Sequence, residues 1–165
     1  MKNYFLSSLF ALFTLVTFAQ DAGDVPPRPS PPRQVNDRAG MLRPEEVQML
    51  EQKLVNYNDT TSTQVAIVTI TSLGPYDVAA FAYRLGETWG IGGKGKNNGI
   101  LILISKEERA INISTGYGME GVLPDAYAKR TIEQIIKPAF RQNNYYGGLN
   151  AATDQIFRYA AGEFQ

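Results

Sequence analysis

Two glycine-rich stretches bracket a pair of apolar runs in this 165-residue chain, and that arrangement limits the folds open to it. The first reads Trp89-Gly90-Ile91-Gly92-Gly93-Lys94-Gly95-Lys96-Asn97-Asn98-Gly99 and the second Gly116-Tyr117-Gly118-Met119-Glu120-Gly121. Between them, residues 100–104 are wholly apolar and residues 106–108 are charged. Residues 109–115 then alternate, with Ala110, Asn112 and Ser114 on one face and Ile111 and Ile113 on the other. This is the pattern of a β-hairpin whose first strand is central and whose second is half-covered. A hairpin reverses the chain, so the loop that enters it and the loop that leaves it share one end of the sheet. Asn97, Asn98, Glu120 and Asp125 are therefore expected in one neighbourhood.

Upstream, Leu42-Arg43-Pro44-Glu45-Glu46 predicts a helix start, with proline in the first turn and carboxylates at the positive end of the dipole. Val47, Leu50, Leu54 and Tyr57 give it one buried face, and the polar residues 58–63 are expected to break it. Residues 64–70 are nearly all apolar, as in a strand covered on both faces. Residues 72–75 read as a turn, and residues 76–89 as a second helix buried through Val78, Phe81, Ala82, Leu85 and Trp89. After the hairpin, Pro124-Asp125 opens a third helix with Ala128, Ile132, Ile135 and Ala139 inward, which Pro138 kinks or ends. Residues 143–148 are expected as a loop, and residues 149–161 as a fourth helix with Leu149, Ala152, Ile156 and Ala160 inward. The expected order is helix, strand, helix, strand, strand, helix, helix. The strand–helix–strand unit should be a right-handed parallel crossover. The fold class that follows is α/β: a three-layer sandwich with a small mixed β-sheet and helices on both faces.

The length argues for one folded domain. Residues 1–19 read as a signal peptide: Lys2, an apolar stretch, then Thr17-Phe18-Ala19 before a new N-terminus at Gln20. The apolar run is short for a membrane span, and no Cys follows it to carry a lipid. Residues 20–33, with Pro26, Pro27, Pro29, Pro31 and Pro32, read as a proline-rich linker. Residues 34–165 form the domain. The expected location is outside the cytoplasm, periplasmic or secreted, with no transmembrane helix in the mature chain.

Composition excludes several kinds of chemistry. With no Cys and no His there is no thiolate nucleophile, Ser-His-Asp triad or imidazole ligand, so a bound metal must be held by oxygen atoms. Ca²⁺ or Mg²⁺ suits such a site better than Zn²⁺. Formal charge is +0, which gives no electrostatic reason to expect nucleic acid as a partner.

Gly90-Ile91-Gly92-Gly93-Lys94-Gly95 matches G-x-G-x-x-G formally, but a dinucleotide loop follows a strand and opens a helix, whereas this one does the reverse. Gly90 is better read as a helix C-cap. Lys94 and Lys96 make the loop basic, so it is either a flap over an anion or metal-bound ligand, or a flexible connector. In the second loop, glycines free carbonyls to turn toward a common point, and Glu120 and Asp125 supply carboxylates. The spacing is not that of an EF-hand. Asp125 reads equally well as an N-cap. Asp37, in Val35-Asn36-Asp37-Arg38-Ala39-Gly40, reads as a turn-forming residue. The residues alone leave Asp37 out of the site, because a first helix antiparallel to the first strand puts it at the far end of the sheet from Glu120.

The chain resembles the TPM domain family, which includes thylakoid-lumen photosystem II repair proteins and exported bacterial relatives. The resemblance rests on Val35-Asn36-Asp37 with Gly40 and Leu42, Gln64-Val65-Ala66-Ile67-Val68, Trp89-Gly90-Ile91-Gly92, Asn97-Asn98-Gly99-Ile100-Leu101 with Leu103, Arg109 with Ile113, and residues 116–121 with Asp125. It implies an α/β sandwich, an acidic cluster near the loops, divalent-cation binding and, from a plant member, acid-phosphatase activity. It also brings Asp37 in as a metal ligand. Many bacterial relatives carry a C-terminal membrane helix and glycine-rich tail; this sequence runs to Gln165 without either, so a tethered role does not carry over.

Two functions follow as expectations. The first is an exported module that binds Ca²⁺ or Mg²⁺ through Glu120, Asp125, Asn98 and Asp37, ordering the glycine loops for a protein partner at the cell envelope in an assembly or maintenance role. The second is a metal-assisted phosphomonoesterase, with an Asp as nucleophile or base and Lys94 or Lys96 neutralising charge. Without His, and without Arg in the first glycine loop, phosphoryl transfer is poorly equipped. A third reading keeps the acids as caps and turns only.

Overall fold

The structure, a computed structural model, describes residues 25–93, 95 and 97–163. The expected leader (1–19), residues 20–24 of the proline-rich segment, and Lys94 and Lys96 lie outside the described residues. The two solid apolar runs become the central strands β2 (Gln64–Ile70) and β3 (Gly99–Ser105), flanked by β1 (Val35–Asp37) and β4 (Ala110–Thr115). The order is β1-β2-β3-β4, parallel for the first three and antiparallel for β4.

Strand pleating sorts alternate residues to the two faces. Val65, Ile67, Ile100, Ile102 and Ile104 meet α1 (Pro44–Thr61) and α5 (Tyr145–Ala160), whose Leu50, Leu54, Ala152 and Ile156 are fully buried there. Each buried Leu or Ile side chain contributes about 2 kcal/mol. Ala66, Val68, Leu101 and Leu103 meet α2 (Val78–Trp89) through Phe81, Ala82, Leu85 and Trp89 on the other face. The molecule is the three-layer α/β sandwich that the periodicity predicts.

Strand β1 corrects the expected element order. It is three residues long, too short to show a period, and is held by the register Val35↔Ile67 and by the Ile67 N–H donating to the Gln34 carbonyl at 2.7 Å. Helix α1 is therefore itself a parallel crossover. It also runs past the expected break, to Thr61, and stops where Ser62 turns left-handed at φ 60°. Helix α2 starts at Val78, two residues later than expected, because the Asp77 carboxylate caps the Ala79 and Ala80 N–H groups at 2.9 and 3.0 Å. Gly90 closes it in the left-handed conformation, as expected.

The third helix does not end at Pro138. It continues from α3 (Asp125–Thr131) through a π turn (Ile132–Ile136) into α4 (Lys137–Arg141). The π turn inserts one extra residue just ahead of the proline. That rotates the inner face, so Ile136 is fully buried while Ile132 and Ile135 are only half-buried. The expected loop at 143–148 shrinks because Asn144 caps α5, accepting from the Gly147 N–H at 3.0 Å. A Cβ at Gly148 would lie 2.9 Å from the Ala139 Cβ, so this glycine lets α4 and α5 approach closely.

The described part of the proline-rich segment lies against the domain. Val25 packs on the α2-side core, and the Trp89 indole N–H donates to the Pro26 carbonyl at 2.7 Å. Among the described residues no helix is long and apolar enough to cross a membrane.

Candidate functional site

The hairpin brings the two glycine loops together at the N-terminal end of β3. A Cβ on Gly116 would sit 2.3 Å from the Asn97 carbonyl oxygen, and one on Gly99 2.6 Å from that of Ile91. Glycine is required at both because backbone passes backbone. The Gly118 N–H donates to the Asn97 carbonyl at 3.0 Å, and the Gly92 N–H to the Gln64 side chain at 2.8 Å. Asn98 joins the same knot: its carbonyl accepts from the Gln64 N–H at 3.1 Å, and its side-chain amide donates to the Ser62 carbonyl. The loops are stitched together at these points, with Gly93 and Gly95 left in open space at positive φ.

Buried Met119 and Leu123 anchor the second loop, and Glu120 and Asp125 stand on its outside. Glu120 follows a single 3-10 turn (Tyr117–Met119). Asp125 is the first residue of α3, Pro124 occupies the cap position, and no side-chain cap bond forms. Among the described residues neither carboxylate has a hydrogen-bond donor or an ion-pair partner in place, and both line one open trough beside β4. The groups this trough brings together at this end are the two carboxylates; Asn98 is held on the other side of β3, against Ser62 and Gln64, and is not among the lining residues. Two carboxylates suit a hard cation that keeps part of its water. Among the described residues no group of three or more Asp or Glu side chains is placed to hold a metal.

Asp37 is not brought to this end. It closes β1 opposite Thr69, while Gln64, at the other end of β2, pairs with Gly99. That separation is roughly 15–20 Å along the strands at ~3.3 Å per residue. Its carboxylate is engaged, accepting from the Met41 and Leu42 N–H groups at 3.0 and 2.8 Å and from the Thr69 hydroxyl at 2.5 Å. It fastens the turn between β1 and α1, as the residues read without the resemblance suggest.

Two features at the Asp37 end escaped the sequence reading. Glu108, in the hairpin turn, accepts from the hydroxyls of Ser105 and Ser72 and from the Leu73 N–H. The Ser105 hydroxyl first, then that of Ser72, hold its carboxyl well below the usual range, at about 2. Nearby, Lys106, Arg109, Lys137 and Arg141 surround a pocket of about 490 Å³ over Met41, Ile104, Ile111, Phe140 and Tyr145, with no acid among the lining residues. Arg109 adopts φ 51° at the foot of β4. The four-residue spacing of Lys137 and Arg141 signals a shared helix face, but nothing local says that this face meets the hairpin turn.

Comparisons fit this geometry. The model of the TPM domain matches residues 35–159. The N-terminal domain of a Porphyromonas gingivalis protein, solved in solution, is 32% identical, with a TM-score of 0.72, covering 79% of this chain and 83% of that one. The BA42 protein of Bizionia argentinensis shares the fold at 21% identity and a TM-score of 0.65, over 74% of this chain and 83% of its own. The N-terminal domain of a Corynebacterium glutamicum protein does so at 15% identity and a TM-score of 0.59, over 75% and 77%. No curated protein matches. This chain belongs to the TPM domain family.

Proposed function

We propose that this TPM domain is an exported module that binds a divalent cation, Ca²⁺ or Mg²⁺, at the glycine-loop end of its sheet and there engages a protein partner in an assembly or maintenance role. The observation that carries the reading is the pair Glu120 and Asp125: two exposed carboxylates, without donors among the described residues, beside loops already tied together through Asn97, Asn98, Gly99 and Gly116. Acids without a partner at one place are what a cation stabilises. Asn98, tied to the Ser62 carbonyl, and Asp37, at the far end, do not stand beside this pair. With two carboxylates the affinity belongs to the weak range, about 10⁻⁴–10⁻³ M for Ca²⁺.

A metal-assisted phosphomonoesterase draws less support. The cationic side chains Lys106, Arg109, Lys137 and Arg141 that would hold a phosphoryl group line a pocket without a carboxylate, and Glu120 and Asp125 are not among its lining residues.

The test is a Ca²⁺ and Mg²⁺ titration of the chain from Gln20, followed by amide NMR, on wild type and Glu120→Ala. Saturable shifts centred on residues 97–99 and 116–125, absent in the variant, are the expected result. No shift at millimolar cation would remove the metal from this function.

A further inference from the structure

We infer that the open edge of β4 is a docking site for the C-terminal end of an extended polypeptide, which adds as an antiparallel fifth strand with its terminal carboxylate in the basic pocket. Three observations carry this.

The first is the edge itself. Among the described residues β4 pairs with β3 only. The bonds from Gly116 N–H to the Gly99 carbonyl (2.8 Å) and from Gly118 N–H to the Asn97 carbonyl (3.0 Å) set the alternation of this antiparallel pair. Residues 110, 112 and 114 face β3 with their backbone polar groups, so those of Ile111, Ile113 and Thr115 face outward. Edge strands are ordinarily guarded by lysine, proline or a bulge. The sequence of β4, Ala-Ile-Asn-Ile-Ser-Thr, contains no lysine and no proline, and its register with β3 is unbroken from Ser105↔Ala110 to Ile100↔Thr115.

The second is the shape. A trough of about 630 Å³ follows this edge, walled by Val78 and Tyr83 of α2 on one side and by the α3–α4 run on the other. Tyr83 is 69% exposed. The trough shares Arg109, Ile111 and Lys137 with the basic pocket, so the two form one continuous groove.

The third is charge polarity. Glu120 and Asp125 mark the Thr115 end, and Arg109, Lys137 and Arg141 the Ala110 end, while Lys129 and Glu133 of the helical wall add one charge of each sign. Lys137 already pairs with Glu133 at 2.5 Å, whereas among the described residues Arg109 and Arg141 have no ion pair. A strand running antiparallel to β4 ends at its Ala110 end, which places the carboxylate beside these guanidiniums, the geometry Arg recognises best. Directly opposed residues share a face of the sheet. The last residue, opposite Ile111, therefore projects toward Ile104 and Phe140, and the third from the end, opposite Ile113, toward Ala128 and Ile132; both are expected to be apolar. The fifth from the end, opposite Thr115, lies by Glu120 and Asp125 and is expected to be basic. A cation at those carboxylates would compete with that residue alone, so the experiment is run with chelator and stands apart from the cation-binding function.

The probe is a fluorescent five-residue peptide, Lys-Thr-Val-Thr-Ile with a free C-terminal carboxylate, titrated by anisotropy and amide NMR in EDTA. Expected are saturable binding, shifts at Ile111, Ile113 and Thr115, and affinity at least about tenfold lower for the C-terminally amidated peptide, as loss of a charge-assisted contact implies. The same peptide N-methylated at Val, which cannot donate to the Ile113 carbonyl, should bind as poorly without any change to the protein. Arg141→Gln, on the surface of α4, should repeat the effect of amidation. Equal affinity for the free and amidated peptides would overturn the proposal. So would binding of acetate or inorganic phosphate as tight as that of the peptide, or no binding at millimolar peptide.

Discussion

The two ends of the sheet carry the same chemical groups in opposite states. At the C-terminal ends of the parallel strands, Asp37 and Glu108 each accept three hydrogen bonds and fasten a turn to its neighbours. At the glycine-loop end, Glu120 and Asp125 fasten nothing among the described residues, and the structural work falls to backbone crossings at Gly99 and Gly116. An acid beside a turn is therefore no sign of function by itself; what separates the two pairs is whether the protein has already satisfied the carboxylate. Bound charge rigidifies one end, while unsatisfied charge at the other is available to a ligand.

The contrast breaks most visibly at the glycine crossing. Gly116→Ala should destabilise by about 3 kcal/mol, because the new Cβ meets the Asn97 carbonyl rather than a side chain that can move aside. Chemical denaturation reads this, and amide NMR should show the disturbance spreading through residues 97–99. Asp37→Ala comes next, at about 2 kcal/mol, since it strands the Met41 and Leu42 N–H groups. A change below half of that would mean that water replaces the carboxylate and that the two ends are less different than described.

Glu108 sharpens the comparison through pH. Its folded pKa, about 2, lies below the ordinary 4.5, so the fold favours the ionised form. Its contribution is complete above about pH 4.5 and is lost as pH falls toward 2. Glu108→Gln should lower Tm at pH 7, and the gap to wild type should close across that window. A gap that stays constant with pH would show that the contacts do not depend on the charge. The smallest effect is expected at the other end: Glu120→Ala and Asp125→Ala should each change stability by less than about 0.5 kcal/mol without added cation. A larger loss from either would mean that these acids too are structural.

Much of the fold is legible in the sequence. The strand at residues 64–70 has the expected bounds, the hairpin has the expected partners, and Gly90 caps α2, because apolar runs, alternation and a glycine after a helix are local signals. The convergence of Asn97 with the second loop follows from the hairpin alone, whereas Asn98 turns to Gln64 and Ser62. The sequence also separated Asp37 from Glu120 by helix direction. The family resemblance, which brought Asp37 into the cation site, could not see that three donors already hold its carboxylate.

What local signals did not carry was decided by packing between segments distant in the chain. Three residues of β1 have no period to read and become a strand only because β2 offers an edge to Val35. Pro138 could stop a helix or sit behind a π turn, and the outcome depends on α5, whose Gly148 lets Ala139 and Phe140 close on it. The basic pocket and the open β4 groove join residues from a hairpin turn and a helix that share no sequence pattern. Periodicity reports which face of an element is buried; only the assembled sheet determines which edge stays open and which charges stand beside it.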